Sequence, residues 1–155
     1  MFIDKVLDFG KRSDDVLTTL GLPKPTRPQN ELEFPADLST LCNEDLGHHL
    51  SYWAAMCAYA QQKVAILEGS LILSKEEADQ ECDLRIYSKI KSGSKVTEAK
   101  VVVNATKVVR DLKRRISIIE ADLKLLKSIL IGYDLKNSAI SREITRRNTD
   151  RFKDG

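Results

Sequence analysis

The residues of this chain whose types and spacing can do chemistry are basic. Lys89, Lys91, Lys95 and Lys100 surround a Ser92-Gly93-Ser94 break, and Lys107, Arg110, Lys113, Arg114 and Arg115 follow closely. Lys107, Arg110 and Arg114 step by 3 and 4, which puts them on one face of a helix, while Lys113 and Arg115 fan outward. Cations clustered in this way neutralise phosphates and release counterions. For single strands the logarithm of the binding constant then falls against that of salt with a slope of about −0.7 per contact. A second cluster, Arg142, Arg146, Arg147, Arg151 and Lys153, occupies the C-terminal end, where cations also complement the last carbonyls of a helix. The bland alternative for either cluster is a solvated surface that pairs with acidic residues elsewhere. Tyr87 lies beside the break and offers either a base-stacking ring or a packing residue. Aromatics are otherwise few, so binding to a nucleic acid is expected to be backbone-driven and weakly sequence-specific.

Other chemistries find no constellation. His48 and His49 are adjacent and would point about 100° apart on a helix, so they cannot share one metal. No zinc spacing, H-E-x-x-H, phosphate-cradling glycine loop or G-x-S-x-G elbow occurs. Paired carboxylates such as Glu76/Glu77 and Glu120/Asp122 fall on exposed helical positions, where solvation explains them better than acid–base work. Cys42, Cys57 and Cys82 are widely spaced with no C-x-x-C pair, which fits reduced thiols that pack as small hydrophobes. The sequence therefore points to a non-enzymatic protein with no cofactor and no metal.

Length and charge set the frame for these residues. The 155 residues carry a net charge of +2, but residues 1–88 hold 8 Lys+Arg against 15 Asp+Glu, whereas residues 89–155 hold 17 against 8. Such asymmetry points to a polyanionic partner or to one half neutralising the other. The longest apolar run, Tyr52 to Ala60, is far short of the roughly 18 residues of a spanning helix, and the N-terminus shows no secretory pattern. No membrane is expected as a partner, and the expected location is the cytoplasm.

The elements that must position the basic residues are helices, because seven Gly, four Pro and little strand-like alternation leave no material for a sheet. Residues 2–20 read as a short amphipathic helix through Phe2, Val6, Phe9, Val16, Leu17 and Leu20. Pro23, Pro25, Pro28 and Pro35 then mark an extended linker. Residues 1–36 thus form an arm, and residues 37–155 the main body. A long helix is expected from a cap at Asp37 or Ser39 to Ile90, about 75 Å at roughly 1.5 Å per residue. Its residues Leu46, Leu50, Trp53, Cys57, Ala60, Val64, Leu67, Leu71, Ser74 and Ala78 alternate steps of 4 and 3, a heptad seam. Thr97 is expected to cap a short helix over 98–103, and Asn104 a last helix from Ala105. In that last helix Val109, Leu112, Ile116, Ile119, Leu123, Leu126, Leu130, Tyr133, Asn137, Ile140 and Ile144 step by 3 and 4 without an error.

The expected architecture is all-α: a long antiparallel helical hairpin with coiled-coil heptads. A second stripe, Val108, Ile118, Leu125, Ile129 and Ile131, widens the apolar face beyond what one partner helix covers. Self-association into a multi-helix homo-oligomer is therefore expected, with the series from Leu112 to Ile144 supplying the contacts between chains. Asn137 would fix register and subunit number, and Gly132 would admit a neighbouring backbone or be a tolerated local weakness.

The Lys95-Val-Thr-Glu-Ala99 entry after the break, the charged heptad helix, the ending Ile140-Ser-Arg-Glu-Ile-Thr-Arg-Arg147 and the segment Gln61-Gln-Lys-Val-Ala-Ile66 resemble the phage UvsY-like recombination mediators. The resemblance spans roughly residues 40–150. It implies a helical oligomer, a ring in the best-known member, that binds single-stranded DNA. Such a protein helps load a RecA-like recombinase onto strands coated by single-strand-binding protein during phage recombination, repair and replication in the host cytoplasm. Leu67, Glu68 and Gly69 stand where that family's basic residues are expected, so no DNA site carries over to the first long helix. Residues 1–36 lie outside the match and read as a docking arm. The alternative from another class is a structural or scaffolding coiled-coil protein of a phage, whose basic surface meets acidic protein.

Overall fold

The structure, a computed structural model, describes the backbone of residues 2–153 and the side chains of residues 9–151. The side chains of Phe2, Val6 and Lys153, named above, lie outside the described residues. Four α-helices and one 3-10 turn make up the fold, with no strand among the described residues: α1 (Phe2–Thr19), the turn Leu38–Thr40, α2 (Asn43–Lys91), α3 (Val96–Ala105) and α4 (Lys107–Lys153). The protein is all-α.

α2 and α4 form the expected antiparallel hairpin. Its register is marked by Lys75 Nζ to Glu120 Oε1 at 2.7 Å, Lys127 Nζ to Glu68 Oε1 at 2.6 Å and Asn137 Nδ2 to Cys57 Sγ at 3.2 Å. All ten seam positions of α2 and all eleven of α4 are buried or half-buried, with Leu46, Ile119, Ile140 and Val109 enclosed completely or nearly so. Fully burying one such aliphatic side chain contributes about 1.5–3 kcal/mol, against about 0–1 kcal/mol for an exposed ion pair. The seam therefore holds the hairpin and the ion pairs trim its register.

This burial corrects one expectation. Leu112, Ile116, Ile119, Leu123, Leu126, Leu130, Tyr133, Asn137, Ile140 and Ile144 turn inward on α2 of the same chain, so they are the hairpin's own seam rather than contacts between chains. Asn137 is held inside the chain, where Cys57 donates from Sγ to Asp134 Oδ1 at 3.3 Å. Burial, with help from the Asp134 carboxylate, pushes the Cys57 thiol up to about 11. The second stripe stays open, with Leu125 63% and Ile131 60% exposed, and a side chain added at Gly132 would meet nothing.

The helix boundaries differ from expectation for packing reasons. Asp37 Oδ1 accepts from the Ser39 N–H at 2.8 Å, but this caps only the 3-10 turn. Leu41 then returns to an extended conformation, and both Leu38 and Leu41 pack on the core of Leu46, Trp53 and Ile140. α2 starts instead behind Cys42, whose Sγ accepts from the Asp45 N–H at 3.3 Å. At the other end α2 stops at Lys91, and Gly93, just past the Ser92 cap, takes a φ of +101° that favours glycine.

α3 has Lys95 at its cap position with no side-chain bond, and Thr97 lies inside it. Asn104 caps nothing: its Oδ1 accepts from Lys113 Nζ at 2.8 Å, and the break falls at Thr106, which donates from Oγ1 to the Val103 carbonyl at 2.6 Å. Val103 and Val109 are both buried. They lie on either side of the break, three residues from Thr106 in each direction.

The arm touches the main body at both ends. The ring of Phe9 rests directly on Gly69, where a Cβ would collide with it, and α1 lies along α2. Lys24 Nζ meets Asp14 Oδ2 at 2.6 Å at the start of the linker, which ends with Phe34 edge-on to Trp53 at a centroid separation of 6.2 Å.

Candidate nucleic-acid interface

Helix geometry sorts the basic residues by what surrounds them. Those on the hairpin's inner edges are engaged within the chain. Lys136 places Nζ 3.7 Å from the centroid of the Trp53 ring, inside a cluster that includes Phe34 and Tyr133. Lys127 holds Glu68. Arg147 is the most committed: it donates from Nη1 to the Leu41 carbonyl at 2.8 Å and from Nη2 to the Leu38 and Ser39 carbonyls at 3.1 Å, while Nε donates to Glu143 at 2.7 Å. Arg146 shares Glu143 and also meets Asp150 at 3.0 Å. Hydrogen bonds from Arg146 and then Arg147 hold the Glu143 carboxyl down at about 2. Of the C-terminal cluster, only Arg142 and Arg151 are exposed without an ion pair among the described residues.

The first cluster is different. Lys89, Lys91, Lys95, Lys100, Lys107, Arg110 and Arg114 are all exposed, and none enters an ion pair among the described residues. They extend from the end of α2 through α3 onto the outer face of α4. The other two candidates behave otherwise. Lys113 is tied to Asn104 across the α3–α4 break. Arg115 is half-buried and lines a cleft with Glu77, Glu81 and Asp111. Tyr87 is 67% exposed and borders a shallow cleft with Gln80, Asp83 and Leu84.

The sequence reading missed Lys124. Continuing the 3–4 stepping beyond Arg114 gives Ser117, Ala121 and Lys124, all exposed, so the signal was present in the spacing. The roles of Arg147 and Lys136 carry no local sequence mark, because their partners are about a hundred and about eighty residues away in the chain. His49 is buried with Nδ1 unpartnered, and no group of three or more His, Cys, Asp or Glu able to hold a metal occurs among the described residues. No helix of the described residues is long and apolar enough to cross a membrane. Comparison with models of known protein families, with curated proteins and with solved structures finds no match to this chain.

Proposed function

We propose that this chain is a non-enzymatic, self-associating helical protein that binds the backbone of single-stranded DNA, acting as a recombination mediator of the UvsY-like kind. The observation that carries the reading is the run of seven exposed cations from Lys89 to Arg114 that enter no ion pair among the described residues, while Lys127, Lys136, Arg146 and Arg147 are engaged within the chain. A surface of this kind attracts phosphates without reading bases. By its resemblance the chain would work with a RecA-like recombinase and a single-strand-binding protein. A second copy is the expected occupant of the open side of α4, where Ile118, Leu125, Gly132 and Ala139 recur every seven residues. Antiparallel pairing sets the large Leu125 and Ile118 against the small Gly132 and Ala139 of the other copy.

That open apolar side also suits a scaffolding coiled coil with an acidic protein partner, and a DNA titration separates the two. Fluorescence anisotropy with an unstructured oligonucleotide should show binding that weakens steeply with salt. Reversing charge at both Arg110 and Arg114 should lower affinity by about tenfold or more, or about 1.4 kcal/mol, and leave assembly intact. Absence of binding at low salt would remove the DNA reading and leave the scaffold.

A further inference from the structure

The outer face of α4 carries a column with a definite polarity. Lys107, Arg110, Arg114, Ser117, Ala121, Lys124 and Ser128 alternate steps of 3 and 4, and every one is exposed. The column lies opposite the buried seam and contains no acidic residue and no large apolar one. Two of its flanking charges are paired across the hairpin: Glu120 is held by Lys75 at 2.7 Å, and Lys127 by Glu68 at 2.6 Å. Asp111 turns to the Arg115 cleft on the other edge.

We propose that a single strand lies lengthwise along this column, held by Lys107, Arg110, Arg114 and Lys124, instead of wrapping around the break between the long helices. The inference rests on the single-strand reading above and adds a path and a further contact. From Lys107 to Lys124 the column runs about 26 Å along the axis at about 1.5 Å per residue. Arg110 and Arg114 are about 6 Å apart on that axis, a step on the scale of one nucleotide. The small Ser117 and Ala121 between Arg114 and Lys124 let the sugar-phosphate chain approach the helix backbone. No aromatic residue occurs from Lys107 to Leu130, so the contacts are to phosphates and insensitive to base identity.

The test uses the full chain and oligo(dT) of about 4 and about 12 nucleotides, both within the range of about 4–16 nucleotides of single-strand sites. Lys124→Gln should weaken binding of the longer strand and reduce its salt slope by about 0.7, and weaken the shorter strand less. Ser117→Glu, a separate exposed substitution, should weaken the longer strand more than the shorter. Lys127→Gln, at an ion-paired position beside the column, should leave the slope unchanged. If Lys124→Gln and Ser117→Glu leave the longer strand untouched while charge reversal at Arg110 and Arg114 abolishes binding, the lengthwise path is wrong and the DNA reading stands. If the unaltered protein binds neither strand at low salt, both fail. Displacement of the longer strand by polyglutamate at equal charge concentration would assign the column to an acidic polypeptide and overturn the proposal.

Discussion

Arg147 shows how far a single side chain's role can depend on tertiary structure. Its guanidinium fork reaches three carbonyls of the turn before α2, and a lysine in the same place has one nitrogen and no fork. Arg147→Lys is therefore expected to cost about 2 kcal/mol in chemical denaturation, the scale of charged hydrogen bonds left unmade. Its carboxylate partner supplies a pH signature. Because the folded Glu143 carboxyl sits near 2 against an ordinary 4.5, its contribution is complete above 4.5 and disappears as pH falls toward 2. Thermal melts across that window should lose less stability in Glu143→Gln than in the unaltered protein, and equal losses would show that the pairing does not matter. At this scale the basic tip was legible, because exposure of Lys107, Arg110 and Arg114 follows from their steps relative to the seam. The commitments of Lys136 to Trp53 and of Asn137 to Cys57 were not, because nothing in local spacing says which residue lies across the hairpin.

At the scale of elements, the two long helices could be read from their heptads, whereas their ends could not. Thr97 and Asn104 have suitable capping side chains, yet the boundaries fall at Lys95 and Thr106, with Ala99, Val103 and Val109 buried around them. Capping is worth about 1 kcal/mol, less than one buried valine, so packing prevails. The placement of α1 was equally hidden: nothing in the sequence around Gly69 marks it as the position on which the Phe9 ring rests. Gly69→Val should lift α1 from α2 while the hairpin persists. Limited proteolysis within residues 21–36 is expected to accelerate several-fold with little loss of helical circular dichroism, and an unchanged cleavage rate would show that α1 does not depend on this contact.

At the scale of the whole molecule, α4 carries an inner seam, an outer basic column and an open apolar side that borders the column. Leu125 is at the centre of that open side. A charge there should oppose self-association without touching the seam, so Leu125→Glu is expected to weaken assembly by about tenfold or more in sedimentation, about 1.4 kcal/mol. An unchanged mass at every concentration would assign the stripe to something other than a second copy. By itself the sequence determined that the chain is all-α, where the long helices run and which face of each is buried, because helical periodicity records burial directly. Only the tertiary structure decided that the seam of α4 is closed by α2 of the same chain, that α1 folds back, and which cations remain unpaired. Those outcomes depend on which distant residues meet, and pairing across the hairpin leaves no mark in local spacing.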